Sequence, residues 1–294
     1  MTRAVGVIAP GPLTTIQDLG RPGYAALGVG RSGAADPVAC RLANRLLGNR
    51  DPAAALEATL GGLTIRAHGP VTVAVTGAPC PLRRDGRPVR AAEPVRLDTG
   101  TTLELGTPPT GLRSYVAVRG GFDVPPVLGS RSCDVLAGLG PPPLRAGDVL
   151  AVGTDPATPM PATDVAVTAV PFGSAALEVS PGPRCVVADL RPLLHGRYVV
   201  TADCDRVGVR LDGPPLPTDA GATAPSEGAV TGAVQLPPDG RPIVFLTDHP
   251  TTGGYPVVAV LTQRAIGTAA QLRPGQGVRF VPAVPDRVTA EPQG

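Results

Sequence analysis

The sequence predicts a mostly β fold made of two barrel-like halves with few short helices. Gly (38) and Pro (37) are abundant among the 294 residues, and both interrupt helices. The apolar segments are short and rich in Val, and turn pairs such as Asp85-Gly86 and Asp212-Gly213 separate them. The hydrophobic share of 43% is enough for a globular core, which aliphatic side chains must fill because aromatic residues make up only 3%.

The predicted strands are short β-branched segments between turn signals. They are residues 5–9, 64–67, 71–75, 101–105, 114–118, 165–170, 176–179, 207–211, 242–246, 257–261 and 278–281. A Pro-rich linker at 153–163 divides them into an N-terminal half, residues 1–153, and a C-terminal half, residues 164–294. The residues from 285 onward form a loose tail.

Two helices are predicted. Asp36 is a good N-cap, Pro37 suits the first helical position, and apolar residues then recur at helical spacing as far as Leu47. Gly48 suits the left-handed conformation that ends a helix, so the first helix covers 36–48. A second, weaker helix covers 263–271 and stops before Pro274.

Charge and cysteine usage exclude several classes of protein. The net charge is +2, which argues against a dedicated nucleic-acid binder. All 26 basic residues are Arg, so Schiff-base catalysis, a P-loop and self-attached biotin are excluded because each needs Lys. Five widely spaced cysteines without a CxxC pair argue against a disulfide framework or structural zinc. With no signal peptide or long apolar run, we expect a cytoplasmic protein.

A first polar cluster covers residues 14–24 and 28–36. It offers many hydrogen-bonding groups, glycines that let a backbone approach a ligand, and a helix N-terminus that favours an anion. Its candidate substrate-binding residues are Gln17, Arg21, Ser32 and Asp36. The alternative is that Asp36 is only a cap and Ser32-Gly33 only a turn.

A second polar cluster covers residues 247–256, between two apolar strands. Functional loops commonly have this placement. Thr hydroxyls and Gly N–H groups suit an oxyanion or a phosphate, and an Asp or His suits proton transfer. The candidate catalytic residues are Asp248, His249 and Thr252, and the candidate substrate-binding residues are Thr251, Gly253, Gly254 and Tyr255. The alternative is a hairpin with capping hydroxyls.

Smaller features lie between the clusters. Glu57 follows Leu56 in an apolar stretch, so it is either paired with an Arg or shifted in pKa by burial. Residues 129–132 form a second anion loop or an ordinary turn. No spacing matches a zinc motif, a Walker A motif or a dinucleotide fingerprint, so no metal ligand is predicted.

The clusters and the segments between them resemble the biotin-dependent carboxyltransferase family, also called allophanate hydrolase subunit 2, which includes the C subunit of 5-oxoprolinase. The segments that carry the resemblance span nearly the whole chain in order. They are 14–24, 32–36, 41–49, 55–57, 115–121, 129–132, 226–228, 235–240 and 251–256. The stretch after Ser132 departs from the family pattern, which has Thr and a Gly-rich turn there.

The resemblance implies cyclophilin-like β-barrels and one of two reactions, and a non-enzymatic function is a third hypothesis. The first is a subunit of an ATP-dependent 5-oxoprolinase, which opens 5-oxo-L-proline to L-glutamate. Its partners would be an allophanate hydrolase subunit 1-type protein (the B subunit of 5-oxoprolinase) and a lactam-utilisation protein (the corresponding A subunit). The second is the carboxyltransferase component of a urea carboxylase-like enzyme, with biotin on a separate carrier. The third is a non-enzymatic partner of a kinase regulator.

Within the first function, the residue types suggest roles. Arg21 and the 32–36 loop would bind the substrate anion, and residues 251–254 would contact an oxyanion or phosphate. Asp248 or His249 would carry the proton, with Gln17 and Tyr255 orienting the substrate. These roles require the two clusters to meet in a single pocket.

Overall fold

The fold is mostly β, as the sequence predicts. A computed structural model describes residues 3–162, 173–185, 190–217 and 225–283. Within these ranges it contains two open sheets, a closed seven-stranded barrel, a two-stranded ribbon and three short α-helices. The predicted strand 165–170, the last residue of the predicted linker and the predicted tail lie outside the described residues.

The first half consists of two sheets that share one core. Eleven strands form them: β1 (Ala4–Pro10), β2 (Leu13–Gln17), β3 (Ala55–Thr59), β4 (Leu63–Ala67), β5 (Val71–Gly77), β6 (Leu82–Arg84), β7 (Arg87–Val89), β8 (Val95–Leu97), β9 (Thr102–Leu105), β10 (Arg113–Val118) and β11 (Val149–Ala151). The first sheet has the order β11-β1-β4-β9-β6-β7, and the second has the order β2-β3-β10-β5-β8. Their facing Val, Leu and Ile side chains make the largest apolar cluster described for this half.

The second sheet is covered on its outer face by α1 (Pro37–Leu46). Strand β10 shows how a period of two serves both faces, because Val116 and Val118 enter the core between the sheets while Tyr115 and Ala117 pack against the helix. The Asp36 side chain accepts a hydrogen bond from the Ala39 N–H at 3.0 Å and begins the helix.

The second half is built around the closed barrel. Its strands, in chain order, are β12 (Ala175–Pro181), β13 (Tyr198–Val200), β14 (Gly208–Asp212), β15 (Glu227–Gly228), β16 (Ala233–Gln235), β17 (Ile243–Phe245), β18 (Thr252–Gly253), β19 (Val257–Leu261) and β20 (Gly277–Pro282). The barrel order is β12-β19-β16-β17-β14-β13-β20, closed by the parallel pairing of β12 with β20. Strands β15 and β18 form the separate ribbon.

Two helices accompany the barrel: α2 (Arg191–His195) and α3 (Gln263–Ala270). Thr262 caps α3 by accepting a hydrogen bond from the Ala265 N–H at 3.3 Å. Among the described residues no helix is long and apolar enough to cross a membrane.

Strand β2 departs from the sequence prediction, which treated its residues as part of a polar ligand loop. Thr14, Thr15 and Gln17 are buried in a strand instead. They tolerate burial because local groups take up much of their hydrogen-bonding capacity: Thr14 Oγ1 donates to the Pro10 carbonyl at 2.6 Å, and Gln17 Nε2 donates to Thr15 Oγ1 at 2.9 Å.

The two halves are joined by polar contacts around α1 and α3. Gln271, which follows α3 and is 1% exposed, donates to Asp36 Oδ2 at 2.9 Å and to the Arg113 carbonyl at 3.0 Å. Its Oε1 accepts from the N–H groups of Leu112 at 3.0 Å and Arg113 at 2.9 Å. One buried side-chain amide therefore connects both the start of β10 and the N-cap of α1 to the second half.

Candidate functional site

A buried arginine sits where the halves meet. Arg206, between β13 and β14, has a side chain only 2% exposed. It binds Asp248 through Nε at 2.8 Å and Nη2 at 3.1 Å, and its Nη1 donates to Glu57. Nη2 also donates to the Gly33 carbonyl at 2.7 Å. The guanidinium is therefore paired with a carboxylate from each half, as a buried charge requires.

Glu57 is the first-half partner of Arg206. It lies in β3, and its Oε2 accepts from Tyr115 OH at 2.8 Å and the Ala35 N–H at 2.9 Å. Arg113 Nε lies 3.4 Å from its Oε1. Burial alone would raise the pKa of Glu57, but the positive charges of Arg206 and Arg113 hold it below its ordinary value. Of the two states that the sequence allows for Glu57, pairing with Arg is therefore the one observed, and two arginines supply it.

Asp248 is the second-half partner and is saturated by donors. Besides Arg206, Ser32 Oγ donates to its Oδ1 at 2.7 Å and the Val135 N–H to its Oδ2 at 3.1 Å. Ser32 has φ of 50°, a left-handed conformation that is costly for a residue other than Gly, Asn or Asp. The two polar clusters of the sequence thus meet at the Ser32–Asp248 contact, inside an ion network.

A cleft of about 410 Å³ opens on the barrel side of this network, next to β14, β16 and β17. It combines an apolar floor with one guanidinium, two carboxylates and a side-chain amide. The lining residues are Asp203, Asp205, Val207, Gly208, Arg210, Gln235, Pro237, Ile243, Phe245, Pro250, Gly253, Gly254 and Tyr255. Few precisely placed polar groups on an apolar surface are typical of sites for small molecules.

The network holds two walls of this cleft. Asp205 and Val207 flank Arg206 in the chain, and Pro250 follows two residues after Asp248. The Asp205 carboxylate accepts from the Val207 N–H at 2.7 Å, which fixes its rotamer. The buried ion pairs of Arg206 and Asp248 therefore determine where these two walls of the cleft lie.

The loop around β18 forms the third wall. Gln235 Nε2 donates to the Tyr255 carbonyl at 3.2 Å, which ties the loop to β16. Gly253 lies so close to Gln235 that a Cβ at this position would be 2.4 Å from Nε2. Thr252 is exposed and lies in β18, where it pairs with Gly228 of β15. The glycine therefore allows the amide to pack against the loop and face the cleft.

His249 is 8% exposed and stacks on Phe245, with ring centroids 5.5 Å apart and planes 6° from parallel. Burial lowers its pKa, so the imidazole is neutral at pH 7. Its Nδ1 donates to the Pro250 carbonyl at 2.7 Å, which leaves Nε2 as the proton acceptor. Among the predicted proton carriers, His249 retains an unprotonated nitrogen and Asp248 has its oxygens occupied.

The structure brings only some of the predicted site residues together. Gly253, Gly254 and Tyr255 line the cleft, and Thr251 and Thr252 belong to the same loop. His249 and Asp248 lie directly behind it, and Ser32 reaches Asp248 from the first half. Three candidates of the first cluster do not line this cleft. They are Gln17, Arg21 and Asp36.

Those three residues are buried and hold backbone in place. Arg21 Nη2 donates to the Ser132 carbonyl and Nη1 lies 3.8 Å from Asp134 Oδ2. Gln17 Nε2 donates to the Cys133 carbonyl at 2.9 Å. Asp36 caps α1, and burial raises its pKa. The structure therefore does not place Arg21 and Thr252 at one cleft, and a direct role of Arg21 in binding stays a prediction.

Sequence reasoning missed Arg206, Asp205 and Arg210. All three lie in one charged segment, 203–210. The alternation of apolar and other residues that indicates a strand begins only at Val207, after Asp205 and Arg206. A run of charged residues is usually read as an exposed turn, and nothing local in it shows that Arg206 is buried. The partners of Arg206 are 149 and 42 residues away in sequence.

Comparisons with known proteins agree with this architecture. The family model described as "Carboxyltransferase domain, subdomain A and B" matches residues 27–282. The C subunit of 5-oxoprolinase from Escherichia coli (strain K12) is 37% identical over 281 residues, which cover 94% of this chain and 90% of that protein. The urea amidolyase of Lachancea kluyveri is 32% identical over 95% of this chain, but this is only 17% of its own length.

A solved structure supports the same relationship. The urea carboxylase of Kluyveromyces lactis matches with a TM-score of 0.88 and 30% identity, over 96% of this chain and 27% of that one. The chain thus corresponds to nearly all of the bacterial relative and to one segment of the long fungal proteins. By the extent of these matches, the chain belongs to the family of carboxyltransferase domains with subdomains A and B.

Proposed function

We propose that this chain is a subunit of an ATP-dependent 5-oxoprolinase, which opens 5-oxo-L-proline to L-glutamate together with partner subunits. The observation that carries the proposal is the 37% identity to a protein named as the C subunit of 5-oxoprolinase, along 90% of that protein's length. The two fungal urea amidolyases contain the same unit only as 16–17% of their length, which favours the bacterial relative as the functional counterpart.

The barrel-side cleft has the chemistry that 5-oxoproline requires. Arg210 can pair with the substrate carboxylate, and the carboxylate of Asp203 or Asp205 can accept the lactam N–H. Ile243 and Phe245 offer an apolar surface for the ring methylenes. A volume of about 410 Å³ accommodates a ligand of this size and leaves space for a second reactant.

Lactam opening also needs a proton acceptor for water and stabilisation of the tetrahedral oxygen. His249 is the candidate acceptor because its neutral imidazole keeps Nε2 unprotonated at pH 7. The Gln235 amide and the backbone of Gly253 and Gly254 are the candidate donors to the oxyanion. A preorganised set of such donors lowers a barrier by several kcal/mol, on the order of 3 for one well-placed donor.

ATP, when cleaved, supplies the driving force for opening the stable lactam. The barrel-side cleft does not suit its triphosphate, because two carboxylates and one guanidinium line it. We therefore assign no residue of this cleft to ATP. The proposed partners, an allophanate hydrolase subunit 1-type protein and a lactam-utilisation protein, would supply the remaining groups.

Carboxyl transfer is the second candidate function. It is favoured by the family description and by the similarity to a urea carboxylase at a TM-score of 0.88. The cleft would then receive carboxybiotin from a separate carrier, because this chain has no Lys to which biotin could be attached. Gln235 and the glycine backbone would contact the ureido oxygen instead of a lactam oxygen.

The test is reconstitution. The chain is co-expressed with homologues of the two proposed partners, and glutamate release from 5-oxoproline is measured with and without ATP. We expect ATP-dependent release that avidin does not inhibit. Release of no glutamate from the complete, folded assembly would refute the proposal, and avidin-sensitive carboxylation of an amide would establish the second candidate.

Two variants locate the reaction in the cleft. Arg210→Gln should raise KM for 5-oxoproline by about tenfold or more, because one charge-assisted pair with the carboxylate is lost. Arg264→Gln is the matched control, since Arg264 is exposed on α3 and does not line the cleft. An unchanged KM in Arg210→Gln would remove the cleft from the mechanism.

A further inference from the structure

A second cleft, of about 480 Å³, lies in the first half and shares no lining residue with the barrel-side cleft. Its walls are loops that leave β2, α1, β10 and β11. Its lining includes Asp18, Arg50, Ala53, Phe122, Asp123 and Arg131. We call it the first-half cleft.

The topology explains why these loops converge. Strands β2 and β10 both pair antiparallel with β3, so both end at the edge of the sheet where β3 begins. The loop after β2 contains Asp18, the loop before β3 contains Arg50 and Ala53, and the loop after β10 contains Phe122. A rigid sheet edge thus presents three loops to one space, as binding sites commonly require.

Asp18 organises the fourth wall. Its carboxylate accepts from Ser130 Oγ at 2.6 Å, from Ser132 Oγ at 2.5 Å and from the Arg131 N–H at 2.6 Å. The Gly20 N–H adds a bond of 2.7 Å. These donors use the oxygens of Asp18 and hold the backbone of the 129–132 loop, so Arg131 is placed on the cleft by a buried carboxylate.

The free hydrogen-bond donors in the first-half cleft belong to an arginine. The two arginines and two aspartates of the cleft balance in charge, but the oxygens of Asp18 are occupied by neutral donors and Asp123 faces Arg131 at 3.5 Å, which leaves Arg50. Arg131 Nε donates to the Val124 carbonyl at 2.7 Å, which directs the guanidinium. Arg50 is exposed, and its guanidinium makes no ion pair or hydrogen bond with any residue in the described ranges. A guanidinium in this state can bind an incoming oxyanion.

We propose that the first-half cleft is a ligand site for a small molecule bearing a phosphate or carboxylate oxyanion. Arg50 and Arg131 would contact the oxyanion, and Ala53 and Phe122 would contact the rest of the ligand. A phosphoryl-bearing ligand is the expected occupant, and this expectation rests on the proposed function. That reaction involves two anionic groups, and the barrel-side cleft offers a single guanidinium.

The 129–135 segment links the first-half cleft to the buried ion network. Arg131 lines the cleft, the Cys133 carbonyl oxygen lies 3.1 Å from Ser32 Oγ, and the Val135 N–H donates to Asp248. An occupant of the first-half cleft therefore contacts a segment that also binds the carboxylate behind the barrel-side cleft.

Calorimetric titration of the purified full chain tests the proposal, with and without its co-purified partners. The probes are ATP, inorganic phosphate and citrate at constant ionic strength. We expect saturable binding that Arg50→Gln weakens about tenfold, because one charge-assisted contact is lost. Ala53→Phe fills the cleft without changing its charge and should weaken ATP binding by a similar factor. Arg66→Gln, an exposed arginine on β4, is the matched control and should bind as the wild type does.

Each outcome decides the proposal. Absence of saturable binding of all three probes, or equal affinity in Arg50→Gln and the wild type, would overturn it. Equal weakening by Arg66→Gln would also overturn it, since the effect would then come from net charge. Tighter binding of ATP and phosphate than of citrate would identify the phosphoryl source, and the reverse order the carboxylate source. Circular dichroism checks that Ala53→Phe is folded. If Ala53→Phe is unfolded, the affinity of Arg50→Gln alone decides the proposal. Because the readout is binding, a failed 5-oxoprolinase assay would leave this result intact.

Discussion

Replacing Arg206 by Met removes the cation that joins the halves and keeps most of the side-chain volume. Glu57 and Asp248 would then face each other as buried carboxylates, each with a side chain no more than 1% exposed in the native protein. The partial compensation that remains is unequal, because Glu57 keeps Arg113 at 3.4 Å whereas, among the described residues, Asp248 keeps neutral donors such as Ser32. The Asp248 side is therefore the more destabilised of the two.

The expected loss of stability is about 3–5 kcal/mol, the usual cost of removing one partner from a buried ion pair. This is a large part of the roughly 5–15 kcal/mol that typically separates a folded domain from its unfolded state. Neutralising the less compensated carboxylate as well, in Asp248→Asn combined with Arg206→Met, should recover about 1–2 kcal/mol, since the uncompensated charge on Asp248 is gone while Glu57 keeps Arg113.

Urea denaturation at pH 7 measures the loss. The chain has no Trp, so far-UV circular dichroism and Tyr fluorescence are the probes. The control is Arg45→Met, because Arg45 pairs with Asp51 at 2.6 Å but its side chain is 63% exposed. Exposed pairs contribute about 0–1 kcal/mol. The dependence of the unfolding free energy on urea concentration should have the same slope in the variant and the wild type. An equal slope means that the same surface area is exposed on unfolding.

The pH dependence gives an independent check. The folded-state pKa of Glu57 is lowered, so its contribution is present above the unfolded pKa of about 4.3 and is lost as pH falls through the folded pKa. Without Arg206 less positive charge opposes the effect of burial on Glu57, so the pKa of Glu57 is higher than in the wild type and the variant gains stability as Glu57 is protonated. The stability difference between wild type and Arg206→Met should therefore narrow from pH 7 to pH 4.

Two results would refute the reasoning. A loss below about 1 kcal/mol, equal to that of the exposed control, would show that Arg206 is not the buried link between the halves. A difference that stays constant from pH 7 to pH 4 would show that the loss arises from packing and not from unpaired carboxylates.

The remaining predictions concern a helix cap and the cleft. Thr262→Ala should destabilise the protein by about 1 kcal/mol in thermal or urea unfolding, since the Ala265 N–H loses its capping acceptor, whereas Thr262→Ser should stay near the wild type; equal losses in both would contradict the capping role. Gly253→Ala places a Cβ 2.4 Å from Gln235 Nε2 and should raise KM for 5-oxoproline about tenfold in the reconstituted enzyme. Gly228→Ala, with nothing within 4 Å of the added Cβ, is its control, and a matching KM in the two variants would exclude the Gln235 contact.

Local signals were sufficient for the class of fold and for several of its elements. The Gly and Pro content and the short β-branched segments predict a mostly β architecture, because these preferences act within a few residues. The N-cap Asp36, the apolar spacing after it and the terminal Gly48 are short-range signals of the same kind. The structure confirms the cap, and Gly48 has the left-handed φ of 66°. The polar loop at 247–256 was also predicted from its position between two apolar strands, and its residues Gly253, Gly254 and Tyr255 line the barrel-side cleft.

Burial of polar groups was not predictable in the same way. Thr14, Gln17 and Arg21 looked like ligand-binding residues because their side chains are polar, yet each is buried and bonded to backbone or to a neighbouring side chain. Hydrogen bonds to backbone carbonyls of the 132–133 segment, more than 110 residues away, make this burial possible. A sequence pattern contains no record of such distant acceptors.

The sequence by itself determined a lysine-free, mostly β chain with two polar clusters and the motifs of its family. Only the tertiary structure decided what those clusters do, because a buried cation must find its counter-ions wherever the fold brings them. Arg206 meets Glu57 and Asp248 from opposite halves, and that meeting determines which loops border the barrel-side cleft.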